Sequence, residues 1–326
     1  MLGQLNGWLA GVHFLSGPLG WITLGLFLAA IALESVVDRE YARPVYIVAW
    51  LFFAGFWFTL IQPFFVADES IIRGIGATVA VPLSLLVAKV FYEGRDSLFT
   101  LSRAVAIMGF VYAPFLMIEP LQKQLILLVT NHTSFVIDQL GYDPTVVSTL
   151  AEVPEVDRTI SGKETTYENS FVFLYGGEAI TYTILLACTG IGSMSVVVGL
   201  VAAVGAPIRR RLYAIALAVG IIYVLNLVRN VFIAVAYGNQ YMNFFPNVTD
   251  AIFDVGHPYR VSYIWADRIL AQSASVVAMV LIIWLMVRIV PEVMQPIEDV
   301  LYLLTGKEHD LAGALNLDVE TEPAAD

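Results

Sequence analysis

Apolar residues in this chain gather in long, almost unbroken blocks. Such blocks cover 19–37, 45–66, 74–92, 102–119, 178–206, 212–237 and 262–290. Each is long enough for a helix to cross a hydrocarbon core of about 30 Å. The pattern predicts an all-α, polytopic membrane protein with seven or eight transmembrane helices across residues 1–306. The uncertain stretch is 121–140, LQKQLILLVTNHTSFVIDQL, whose mixed polarity suits an interfacial or re-entrant helix better than a span. Residues 120–176 then form an external segment, in which 141–176 is a polar loop holding Pro144 and Pro154. The last stretch, 307–326, reads as a disordered acidic tail.

Basic residues of short loops stay cytoplasmic, so the loops set the orientation. Arg209, Arg210 and Arg211, with Arg39, Arg43, Lys89, Arg95, Arg103 and Arg288, agree on an external N-terminus and a cytoplasmic C-terminus. The sequons at Asn131 and Asn247 then lie outside. The first residues, MLGQLNGWLAGVHF, carry no basic region, which argues against a cleaved signal peptide. Composition agrees with the pattern: 58% of the 326 residues are hydrophobic and 14% charged. With 28 acids against 17 bases the net charge is −11, the wrong sign for nucleic-acid binding. An acidic exterior on so apolar a chain suits a high-salt habitat.

Ionisable groups within spans are costly and point to function. Three of the predicted spans carry Cys188, Arg229 and Arg268. Measured from their basic flanks at 1.5 Å per residue, all three sit about 27–30 Å from the cytoplasmic end. The chain has one cysteine, so no internal disulfide can consume it. A thiolate is the nucleophilic form of cysteine, and a neighbouring permanent cation favours it. One arginine can hold the thiolate while the other donates to the oxyanion formed on a carbonyl. Protonating a leaving amine needs a further group, with His257 and Asp267 in reach by sequence.

Asn226, Arg229 and Asn230 share one helix face by their i, i+3, i+4 spacing. Gly190, Gly192 and Ser193 remove bulk beside Cys188, and Thr189 or Ser193 can orient a bound peptide. Each feature also has a plain structural reading. A lone cysteine packs as a small hydrophobe, arginines snorkel, asparagines bond between helices, and Asp267 pairs with Arg268. No His/Cys/Asp cluster has metal-ligand spacing, so neither metal nor cofactor is expected.

The segment Ala187-Cys188-Thr189-Gly190-Ile191-Gly192-Ser193, then Asn226-Leu227-Val228-Arg229-Asn230 and Asp267-Arg268, resembles the exosortase/archaeosortase family, especially its members from halophilic archaea. That resemblance implies a catalytic triad of Cys188, Arg229 and Arg268. Its third position is the least secure, with His257 and Arg260 nearby. It also implies secreted substrates bearing a C-terminal PGF-CTERM signal, such as S-layer glycoproteins. Loss of that signal's helix would be coupled to attachment of a membrane lipid, the expected acyl acceptor. The resulting expectation is a cysteine transpeptidase or protease acting through a thioester near the external surface of the cell membrane. Two alternatives stand beside it. One is a transporter or flippase for an anionic substrate, which would survive Cys188→Ala. The other is a structural scaffold, which would tolerate loss of either arginine.

Overall fold

The computed structural model describes residues 11–67, 70–148, 159–160 and 167–314. Parts of the expected external loop (149–158 and 161–166), the first ten residues and tail residues 315–326 lie outside them. Helices dominate: α1 Ser16–Val36, α2 Arg39–Gln62, α3 Ile71–Tyr92, α4 Leu98–Met117, α5 Glu119–Gln139, α6 Ile191–Ala203, α7 Ile208–Gly238, α8 Pro246–Phe253, α9 Arg260–Ile289, α10 Met294–Thr305 and α11 Leu311–Ala314. Six of these, α1 to α4 with α7 and α9, are long and apolar enough to cross a membrane. Large apolar side chains such as Leu51, Val277 and Val280 stand uncovered on them. Lipid, not water, is their solvent.

The span expected at 178–206 is the main correction. Glu178–Thr183 is a strand, Leu186–Cys188 a 3-10 turn, and only the 13 residues of α6 are helical. At 1.5 Å per residue α6 is about 20 Å long, short of a bilayer core. Residues 121–140 do form one helix, α5, which is not among the six. Its buried positions Ile126, Val129, Thr130, Thr133 and Ile137 make a single stripe. The beginning of the expected disordered tail is ordered. Glu308 pairs with Arg95 at 2.6 Å, and α11 follows.

The chain packs as two units. The first comprises Met1–Val111, Ser195–Ala218 and Leu281–Asp326. Its core is aromatic: Phe27 meets Trp50 edge-on at 5.4 Å and Phe91 meets Phe99 at 4.9 Å. Such pairs are worth about 0.5–1.5 kcal/mol each beyond their burial. The buried Trp50 indole donates to Ser102 Oγ at 2.9 Å, so its polar atom is satisfied.

The second unit comprises Tyr112–Met194 and Val219–Val280. It holds a four-stranded sheet in the order β1-β3-β4-β2: β1 Thr145–Val147, β2 Thr159–Ile160, β3 Ser170–Tyr175 and β4 Glu178–Thr183. β3 and β4 form a hairpin from Ser170↔Thr183 to Tyr175↔Glu178. Gly176 and Gly177 make its two-residue turn, both with positive φ, as a tight hairpin of this kind requires. Asn169 and Ile184 close the open end, with Ile184 N donating to Asn169 O at 2.8 Å. β4 therefore delivers the chain, in fixed register, to the turn that carries Cys188.

Candidate active site

Cys188 ends the 3-10 turn Leu186–Cys188, which packs against α5. The thiol residue is half-buried. Its own N–H donates to Leu185 O at 2.8 Å. Thr189 follows, fully buried. Its hydroxyl donates to Leu186 O at 2.7 Å and accepts from Ile191 N at 3.4 Å, joining the turn to the first residues of α6. Both of these bonds lie within the turn. Ser193 sits half-buried in the first turn of α6.

α7 grips this turn from the side. Asn226 Nδ2 and Asn230 Nδ2 both donate to the Cys188 carbonyl oxygen, at 2.7 and 2.8 Å. A carbonyl has two lone pairs, and here both are used. Asn230 is wholly buried, and its Oδ1 accepts from the Tyr182 hydroxyl at 3.0 Å. Tyr182 belongs to β4, so strand, turn and helix are tied together by one chain of hydrogen bonds. Burial pushes the Tyr182 hydroxyl well above the usual tyrosine range, which keeps it a donor. Gly190, with φ +81°, lets Asn226 come this close.

Arg229 lies between the two asparagines on the same face and within electrostatic range of Cys188. Its Nη2 donates to Asp267 Oδ1 at 2.5 Å. Arg268 Nη1 lies 3.4 Å from Asp267 Oδ2, and the Arg268 guanidinium stands 5.3 Å over the Tyr263 ring. Asp267 thus pairs with both arginines, and only 5% of its surface is exposed. Arg268 Nε is buried and has no hydrogen-bond partner among the described residues.

The backbone around Asp267 and Arg268 is unusual. Ile264–Ala271 is a π-helix set between the α-helical ends of α9. Such wide turns are rare and tend to occur at functional positions. Nearby, Ser262 Oγ donates to Ala236 O at 3.0 Å and accepts from Met242 N at 3.2 Å, holding α9 against α7.

Of the residues singled out from sequence, Cys188, Asn226 and Asn230 are joined by hydrogen bonds and Arg229, Asp267 and Arg268 by ion pairs, with Arg229 within electrostatic range of Cys188. Cys188 stands on a 3-10 turn and not on the transmembrane helix expected from the sequence. His257 belongs to a different neighbourhood. Its Nε2 lies 3.6 Å from Glu178, its Nδ1 accepts from Tyr259 N, and its ring meets Tyr259 edge-on. Asp267, a candidate proton donor by sequence, is paired with Arg229 and Arg268. Sequence reasoning missed Tyr182 and Tyr263. Tyr263 had a signal, because it lies four residues before Asp267 on one helical face.

Comparison with known proteins shows the family. Residues 8–255 match the family described as transmembrane exosortase, a stretch that includes Cys188 and Arg229 and ends before Asp267. Archaeosortase A of Haloferax volcanii is 41% identical over 314 residues, covering 93% of this chain and 99% of its own. Archaeosortase A of Natronomonas pharaonis is 39% identical over 288 residues, covering 88% of each. No solved structure matches. The chain therefore belongs to the transmembrane exosortase/archaeosortase family, as a multi-pass membrane protein with a processing function.

Proposed function

We propose that the chain is a cysteine transpeptidase that cuts secreted surface proteins at a C-terminal PGF-CTERM-type signal. One observation carries this reading: the chain's single thiol sits on a turn gripped by the two asparagines that flank Arg229. Cys188 Sγ, as thiolate, attacks the substrate carbonyl near the signal's tripeptide. The carbonyl electrons move to oxygen, and the oxyanion takes hydrogen bonds from the arginines. The open Arg268 Nε–H is suited to this, because a donor placed in advance costs no reorganisation when charge develops. One such donor is typically worth about 3–4 kcal/mol. Collapse expels the amine of the signal helix and leaves the mature protein as a thioester on Cys188. A lipid headgroup nucleophile or water then releases it, which divides one acyl transfer into two easier steps. The proton lost by the thiol must reach the leaving amine, and Tyr263, within electrostatic range of Cys188, is the group we assign to relay it.

The membrane suits such a substrate. A signal helix can enter sideways from the bilayer and present its tripeptide at the end of the spans. The test pairs Cys188→Ala with mass analysis of the wild-type chain. Cys188→Ala should abolish maturation of a secreted surface protein in cells. Incubation with a peptide containing the signal should add the acyl fragment's mass at Cys188, and hydroxylamine should remove it. Full maturation by Cys188→Ala would instead favour the transporter reading.

A further inference from the structure

Arg229 and Arg268 come from two helices, and like charges so placed repel. Asp267 is what joins them. One carboxylate oxygen meets Arg229 and the other faces Arg268. Asp267 and Arg268 are neighbours in sequence, and neighbours on a regular α-helix point apart. The π-helix at Ile264–Ala271 narrows that angle and lets both share the cluster. Among the described residues, Arg229, Tyr182 and Tyr263 lie within electrostatic range of Cys188, and Asp267 links Arg229 to Arg268. Two guanidiniums and one carboxylate leave a single net positive charge.

Building on the proposed acyl transfer, we infer that Asp267 is a positioning residue that holds Arg229 and Arg268 as a pair and limits the site to one net positive charge. The cluster then balances one anion at a time: first the thiolate, then the oxyanion that inherits its charge. Without Asp267 a doubly positive site would hold the thiolate or the substrate's anions too firmly to turn over, and the arginines would drift apart.

Because Cys188 is the only cysteine, thiol reagents report on it alone. The full chain in detergent is treated with two methanethiosulfonates of similar size, one carrying a sulfonate and the other a trimethylammonium group. The ratio of their rates reads the charge at Cys188 without any substrate. In Asp267→Asn the anionic-to-cationic ratio should rise by about tenfold or more, because loss of one negative charge favours the anionic reagent and disfavours the cationic one. Maturation of a surface protein in cells should fall at least tenfold. Asp267→Glu should return both toward wild type. Arg268→Gln should move the ratio the opposite way, which keeps the test decisive if Asp267→Asn does not fold. An unchanged ratio in Asp267→Asn, or Arg268→Gln shifting it in the same direction, overturns the inference. Failure of the nucleophile reading would show separately, as maturation surviving Cys188→Ala while the reagent ratios shift as described.

Discussion

Gly190 stands directly against Asn226: a Cβ at position 190 would lie 3.1 Å from Asn226 Cγ and 3.2 Å from its Cβ. The glycine also holds φ +81°, where an L side chain is strained by about 1–2 kcal/mol. Gly190→Ala should therefore push Asn226 off the Cys188 carbonyl and cut maturation about tenfold or more. Gly192, two residues on, has nothing within 4 Å of its built Cβ and serves as the control. Quantitative blotting of one substrate in the two variants separates them. Equal activity would mean the Asn226 contact is idle.

The two asparagines are not equivalent. Asn230→Ala removes a buried donor to Cys188 and strands the buried Tyr182 hydroxyl, so a loss of about 1–3 kcal/mol is expected. Asn226→Ala removes one donor from a carbonyl that keeps another, at about 1 kcal/mol. The double variant should cost more than the sum, since both bonds share one acceptor. Thermal unfolding in detergent measures all three.

Tyr182 predicts an alkaline effect. Burial raises its hydroxyl well above the ordinary value of 10.0, so the folded chain keeps this proton while the unfolded chain releases it. The contribution to stability is full below about pH 10 and shrinks as pH climbs beyond it. Tyr182→Phe should be less stable than wild type near neutrality, and the gap should narrow between pH 10 and 11. A parallel decline in both proteins would rule Tyr182 out as the source.

Gly199, in α6 and the first unit, supports packing and not chemistry. A Cβ there would lie 2.5 Å from the Ala104 backbone oxygen, which cannot step aside as a side-chain tip would. Gly199→Ala should destabilise by about 1–3 kcal/mol through overpacking. The melting temperature should drop while the Cys188 reagent ratio of the surviving folded protein stays at the wild-type value.

The membrane helices were legible because lipid demands unbroken apolar length, and nothing subtler was needed to see α1 to α4, α7 and α9. The run 178–206 misled for the same reason. A strand buried on both faces, a turn and a short helix read together as one apolar stretch. The Tyr175-Gly176-Gly177-Glu178 turn and the β-branched and aromatic residues after it were the missed signal for a hairpin. The arginine and asparagine pattern on α7 was readable from spacing alone. The link from Tyr182 to Asn230 was not, because it depends on strand register. Nor could composition disclose the π-helix, whose residues are ordinary for a span.

A π-helix amounts to one residue more than an α-helix needs for the same path, and that has a consequence for how α9 can change. Removing a single residue between Ile264 and Asp267 would let the segment wind as plain α-helix and stay long enough for the bilayer. The helix on either side would keep its path, but the wide turn that sets Asp267 and Arg268 close together would be lost, leaving the two about 100° apart around the axis. The span would survive as a membrane anchor while its chemistry was dismantled, so insertions and deletions here should be far less tolerated than in the lipid-facing half of the same helix.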